Sequence, residues 1–491
     1  MERVIPVFEI IIAMIIYSVI LILLGYMGYK VTSKRRVVDA RGWLLEYFLG
    51  GRELTWLILM YTAVATIYSA GTFIGAPGLA YGGGYVWPFT VSFQHYSAFL
   101  MFFLAGIRYA ILGKKLGWVS YLDFFRDRYE SRIVHIFGAL GILIFITAYI
   151  APQFVAGARL FEAITGLPYW QMLLLFLLIV LIYTWIGGFR AVVYTDLFQG
   201  ILMTIGAVII WAAIIAIPGG FSQINETLLK TDPKLVTVTW ATLPTAILGI
   251  FVFGLPTVAL PHGMVRCMAY KSSKDMIMAA IISAFIVTLF SNSFQLWGAF
   301  TRAVVPGLKV ADHAIPTLIA TTLPGWVAGI MLVAPIAAMM STVDSMLLVV
   351  ATTAVKDMYI TYVNPEASLE RVKRITVIVS IIISIVVVFV AFYPPPYLEY
   401  LVMYALGGLN AVFWWPFIGG LYWKRANKYG AMASMVFGLP FYIVTDRFLR
   451  PYFLMLHAAI PTFFIVGIVY IVATLLTPKP PMSIIRKFWG K

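Results

Sequence analysis

Apolar residues run in long blocks along this chain, separated by short polar segments, with no amphipathic alternation inside most blocks. Thirteen such blocks stand out, at roughly 7–29, 53–76, 84–107, 133–165, 169–187, 196–217, 243–266, 275–304, 325–355, 375–393, 397–422, 429–446 and 459–477. Each is about 17 residues or more, which is what a helix needs to cross a hydrocarbon core about 30 Å thick. Inside a bilayer the backbone must satisfy its own hydrogen bonds, and blocks of this length do so as helices. The pattern predicts an all-α polytopic membrane protein of about 13 transmembrane helices, numbered here as spans 1–13. No polar stretch is long enough to house a soluble domain, so residues 1–491 read as one membrane domain.

Two blocks are unlike the rest. Span 2 continues as YTAVATIYSAGTFIGAPGLAYGGGY (61–85), dense in small and hydroxyl residues and interrupted by Gly and Pro. Span 7, FVFGLPTVALPHGMVRCMAY (251–270), carries Pro256, Pro261 and His262 in its interior. Internal proline removes a backbone hydrogen bond and crowds the preceding turn, so both are expected to be broken helices. A membrane tolerates such a break only where the backbone faces protein or a wet cavity. The two lie five spans apart, and five is odd, so they cross in opposite directions. Residues 53–217 and 243–422 therefore predict an inverted repeat, each half opening with a discontinuous helix, which is the architecture of secondary transporters. Spans 1, 12 and 13 (7–29, 429–446 and 459–477) lie outside it.

Composition supports lipid as the solvent: 62% of residues are apolar and 11% charged, against about 45–50% and 25% in soluble domains. The net charge of +15 raises the question of nucleic acid, and the placement of the charge answers it. With the N-terminus outside, 27 of the 35 Lys and Arg residues fall on the inner segments, chiefly 30–52, 108–132, 266–274, 356–374, 424–428 and 479–491. That is the positive-inside rule, and it predicts N-terminus out and C-terminus in, with a lipid bilayer and no nucleic acid as partner. The single cysteine, Cys267, excludes an intrachain disulfide or a Cys-based metal cluster. Residues 7–29 lack a basic segment before them and a small-residue cleavage site after, so they read as a retained helix. The inner segment YLDFFRDRYESR (121–132) reads as a short interfacial helix with Asp–Arg pairs. Asp123 and Asp127 have prenyl-transferase spacing, but no second acidic cluster joins them.

Chemistry concentrates on span 9, APIAAMMSTVDSMLLVVATTAVKDMY (334–359). Ala338, Ser341, Thr342 and Ser345 stand at i, i+3, i+4 and i+7, on one helical face. Two adjacent hydroxyls beside a freed carbonyl suit a small hard cation; a small-residue packing face is the alternative. Asp344 is a carboxylate at membrane depth, and so a candidate functional group. Asp196 opens the predicted span 6 beside Thr195 and Gln199, where it either serves chemistry or caps the helix.

The run Gly187-Gly188-Phe189-Arg190-Ala191-Val192-Val193-Tyr194-Thr195-Asp196-Leu197-Phe198-Gln199 resembles the signature of the sodium:solute symporter family, as do YFLGGRELTW (47–56) and AAMMST (337–342). The likeness extends from the first span to the thirteenth. GARLFEAITGLPY (157–169), LPHGMVRCMAYKSSKDM (260–276), TDPKLVT (231–237) and FWWPFIGGLYWKRANKYGA (413–431) resemble the sodium/pantothenate symporters in particular. The resemblance implies a LeuT-like core of five plus five helices, with Na+ as the coupling ion. It implies a sodium site made by the main-chain carbonyls of Ala65, Tyr68 and Ala338 and the hydroxyls of Ser341 and Thr342. Asp196, Asp344 and Ser345 are candidates for a second cation. Proline-carrying relatives have an Asp where this chain has Ile67, which leaves the first cation to neutral oxygens.

By position, Tyr68, Ser69, Thr72, Phe253, Thr257 and Pro261 are expected to line the solute site, with Gln153 from span 4. The expected solute is small and organic, with pantothenate foremost and a monocarboxylate or amino acid as the alternative. A carboxylate needs positive potential, for which Arg159, Arg266, Arg302 and half-helix N-termini are the sources. Each arginine also reads as a snorkelling anchor or an ion-pair partner; Arg159 with Glu162 is such a pair. His262 reads as a satisfied hydrogen-bonder. The expectation is a plasma-membrane carrier and not an enzyme; a passive channel is the competing class.

Overall fold

The computed structural model describes residues 7–34, 39–184, 188–216, 219–291 and 293–490. These are helical throughout and contain no strand; one isolated parallel bridge pairs Leu54 with Tyr270. Eleven helices are long and apolar enough to cross a membrane, and twelve when the bent pair Trp56–Ile67 and Gly71–Gly83 is taken as one. The remaining predicted span, 169–187, is the shorter apolar helix Tyr169–Thr184, and residues 185–187 lie outside those described. The protein is thus a multi-pass membrane protein. Its peripheral helices carry apolar side chains to the surface, as at Phe8, Phe285, Phe389 and Ile468, which fits lipid rather than water as their surroundings.

Both predicted breaks are present, displaced from where composition alone would put them. Span 2 bends by 53° between Trp56–Ile67 and Gly71–Gly83. The helix stops because Tyr68 turns to an extended backbone, ahead of the glycines that follow and of Pro77. Pro77 lies inside the second half-helix, where the wider π-helical turn Gly71–Gly75 passes into Ala76–Gly83. Span 7 runs from Leu243 to Met268. Its interior passes through a tighter 3-10 stretch, Leu255–Ala259, to an extended Leu260, after which Pro261 opens the half-helix Pro261–Met268.

Two expectations are corrected. Span 6 begins at Gly188 rather than 196. Asp196 therefore sits more than two turns inside the helix, fully buried, and does not cap it. The predicted interfacial helix is Leu122–Tyr129, with the expected Arg126–Asp123 pair at 2.8 Å. It is sunk into the protein instead of lying on its surface: Asp123, Phe124, Phe125 and Arg128 are all buried. Arg128 donates to the carbonyls of Gly420, Trp423 and Ala426 at the end of span 11.

The bridge fastens the two broken helices to each other at the basic end of the molecule. The Leu54 N–H donates to the Ala269 carbonyl at 3.0 Å, and the Lys271 N–H to the Leu54 carbonyl at 2.9 Å. Asp275 accepts the Trp56 N–H, 2.9 Å, at the foot of span 2.

Candidate functional site

Because span 2 stops at Tyr68, the carbonyls of its last turn have no N–H ahead of them and are free for other partners. Span 9 supplies these. Ser341 Oγ is 3.0 Å from the Ala65 carbonyl and 3.1 Å from that of Ala338. Thr342 Oγ1 is 3.3 Å from the Tyr68 carbonyl and 2.8 Å from that of Ala338. All five oxygens foreseen for the cation thus meet in one buried place. The donor set is wholly neutral oxygen, which suits a small hard monovalent cation and offers nothing to a soft metal. In the present conformation the hydroxyl protons bridge the carbonyls. A bound cation would turn the hydroxyl lone pairs inward and replace those hydrogen bonds.

Of the second set, Asp196 and Ser345 come together, and a side-chain cation lies between them. Arg266, from the half-helix of span 7, places Nη2 3.2 Å from Asp196 Oδ2 and hydrogen-bonds Ser345 Oγ. Its Nε donates to Thr62 Oγ1 at 3.0 Å, and Thr62 in turn donates to Asp196. Asp344 is fully buried on the adjoining face of span 9.

Beside the breaks lie two adjoining cavities of about 20 Å³ each, which share Gln94, Tyr149, Phe253 and Leu406. That is room for a water-sized group and not for an organic solute, so the chain is closed about this place. Ser69, Thr72 and Phe253 line the first cavity, and Phe253 and Thr257 the second, as expected. Tyr68 does not: its ring packs edge-on to Phe294, and its hydroxyl donates toward the carbonyls of Ile286 and Val287 at 3.3 Å. Gln153 secures the break instead of lining the cavities, accepting the Ala70 N–H at 2.8 Å and donating to the Tyr149 carbonyl at 3.3 Å. Pro261 stands behind Leu260 and His262, which do line the second cavity. Arg159 is held by Glu162 at 2.8 Å, and Arg302 lies over the Tyr81 ring; neither faces the cavities.

Several lining residues were not foreseen: Gln94, Tyr149, Gln295 and Glu399. Glu399 carried a signal, because it is a carboxylate opening an apolar block, the same rule that picked out Asp344. His262 departs from its expected satisfied state, since its Nδ1 is buried without a partner among the described residues.

A broken helix joined to an opposing helix by a neutral oxygen cage, with a cavity beside the break, is the arrangement of an ion-coupled carrier. The sodium:solute symporter family model matches residues 47–438. The chain belongs to that family. Gly187, the first glycine of its signature, lies outside the described residues. Two relatives are both named sodium/pantothenate symporter. That of Haemophilus influenzae is 38% identical over 82% of this chain and 84% of its own. That of Escherichia coli is 34% identical over 97% and 98%. The osmoregulated proline transporter of Bacillus subtilis is 28% identical over 98% and 97%. Among solved structures, a Na+-coupled sialic acid symporter in its substrate-bound outward-open state superposes with a TM-score of 0.79 at 21% identity. The match covers 96% of this chain and 98% of that one. A nucleobase-cation-symport-1 family transporter in a closed conformation matches with a TM-score of 0.54 at 13% identity, over 90% and 98%. These likenesses fix the fold of this symporter-family chain as LeuT-like.

Proposed function

We propose that this symporter-family protein carries pantothenate into the cell across the plasma membrane, driven by sodium. The observation that carries the reading is the meeting of the Ala65, Tyr68 and Ala338 carbonyls with the Ser341 and Thr342 hydroxyls, directly beside the cavity at the broken helices. Two relatives named for pantothenate, aligned over most of this chain, support the choice of solute. The basic end faces the cytoplasm, with the N-terminus outside, and residues 1–491 act as one transport unit built on the repeats 53–217 and 243–422.

Sodium entering from outside ties span 2 to span 9 and fixes the Tyr68–Ser69 break, so the solute finds its polar partners already placed. Coupling is then a difference in affinity between conformations, reciprocal between ion and solute. Each sodium brings about 2.3 kcal/mol per 100 mV of membrane potential. Asp196 and Ser345 flank a position that Arg266 fills in this conformation, and with Asp344 on the adjoining face they are the ligands for a second cation when Arg266 withdraws. The protein works as a carrier, with no bond made or broken in its cargo.

The test is uptake of radiolabelled pantothenate into proteoliposomes under an inward sodium gradient, with potassium and proton gradients as controls. Accumulation above equilibrium with sodium alone is expected. Flux that only equalises the two sides would make the protein a passive pore, and accumulation of other carboxylates in place of pantothenate would overturn the solute.

A further inference from the structure

The first cavity holds polar groups that no described residue satisfies. Gln295, from span 8, is fully buried, and neither its Oε1 nor its Nε2 has a hydrogen-bond partner among the described residues. Glu399, the first residue of span 11, is 1% exposed, and its Oε2 is likewise unpartnered. Buried polar atoms are nearly always paired, so three orphans lining one cavity need an explanation. Glu399 is also held in place. The Leu398 N–H before it donates to Asp312 Oδ2 at 3.3 Å, and the helix N-terminus favours a carboxylate there. Its carboxylate is pressed against the outer half of span 2, where a Cβ on Gly71 would stand 2.7 Å from Oε2 and one on Gly75 would overlap it.

The other cavity has the opposite character. It is lined by His262 at the N-terminus of the half-helix Pro261–Met268, with His262 Nδ1 unpartnered and Arg266 Nη1 3.1 Å from the His262 carbonyl. The half-helix N-terminus thus faces the inner cavity, and the outer one is lined by Glu399 and Gln295. A carboxylate solute entering both is drawn with its charge toward the half-helix end.

We propose that Glu399 and Gln295 recognise the hydroxyl groups of the solute, which lies with its hydroxylated end outward and its carboxylate inward at His262. This rests on the carboxylate solute proposed above. Glu399 accepts from hydroxyls, and Gln295 both accepts and donates, which a hydroxylated end satisfies and a hydrocarbon end does not. These two residues then set specificity within the family scaffold.

The test compares pantothenate with 3,3-dimethylbutanoyl-β-alanine, which keeps the amide and carboxylate but lacks both hydroxyls, as competitors of sodium-driven pantothenate uptake. The wild type is expected to favour pantothenate by roughly tenfold or more, the scale set by leaving buried polar groups unpaired. Glu399→Gln and Gln295→Leu are expected to cut that preference severalfold, while affinity for the analogue moves less than twofold. Equal loss for both compounds, or an unchanged ratio, would overturn the assignment. If the wild type takes up neither compound with sodium, the pantothenate reading falls, and the placement is decided by labelling. Glu399→Cys in a Cys267→Ser background is then treated with a small methanethiosulfonate from outside, with and without whichever carboxylate the protein accumulates. Protection by that solute supports the placement, and undiminished labelling rejects it.

Discussion

At the scale of single residues, the proposed cation cage is the part of the site most open to experiment. Ser341→Ala or Thr342→Ala removes one of five oxygens and leaves the cavity lining intact. The sodium concentration for half-maximal uptake is expected to rise roughly tenfold, the factor that about 1.4 kcal/mol sets, with solute affinity at saturating sodium little changed. Wild-type sodium affinity in both variants would remove the ion from this place. The span 9 side of this place was legible because i, i+3 and i+4 spacing puts Ala338, Ser341 and Thr342 on one face whatever the tertiary fold, whereas Ala65 and Tyr68 entered only through the family resemblance. The cavity was half legible. Ser69, Thr72, Phe253 and Thr257 lie next to breaks that proline and glycine announce, whereas Gln94, Tyr149, Gln295 and Glu399 come from four different spans and share no spacing. The Tyr68 carbonyl comes to Thr342 while its ring turns away to Ile286 and Val287, because a helix end fixes where the backbone points but not which neighbour the side chain finds.

Among the elements, the helix Leu122–Tyr129 shows what an amphipathic pattern leaves out. Its spacing suggested a surface helix, yet Asp123 meets Lys356 at the end of span 9, and Lys356 also pairs with Asp357 at 2.8 Å. Ser120 Oγ donates to Asp357 at 2.7 Å, and His135 Nε2 lies 3.6 Å from the same oxygen. Burial alone would raise the Asp123 carboxyl. The charges of Lys356 and Arg126 and the Val119 N–H outweigh it and hold Asp123 down at about 2. A folded value below the ordinary one means that the stabilisation is present above the usual carboxylate range and is lost only as pH falls through about 2. Lys356→Met strands Asp123 and Asp357 without a buried cation, and is expected to cost about 3–5 kcal/mol. Thermal unfolding in detergent measures this, and adding Asp123→Asn should recover part of the loss. No loss in the single variant would show that the pair carries no stability. The pattern could not reveal this network, because its members are separated by more than two hundred residues of sequence.

The whole molecule was the most legible of the three scales. Block length fixes the spans, and an odd offset between two broken helices fixes their opposite directions, so the inverted repeat follows from counting. Of the thirteen counted, only Tyr169–Thr184 falls short, in the described residues, of the length that marks the others as crossing helices. Orientation is the prediction that belongs here. A cysteine at Asp232, on the segment after span 6, should react with a membrane-impermeant thiol reagent on intact cells, and one at Glu130 only after permeabilisation. The reverse pattern would invert the proposed topology. Last, the Leu54–Tyr270 bridge makes a single handle of the feet of both discontinuous helices at the basic end of the molecule. Neither inner half can swing without dragging the other. A nanobody gripping Lys271–Ser273 would therefore act as a brake on both repeats at once, arresting turnover from a surface that never touches the cargo.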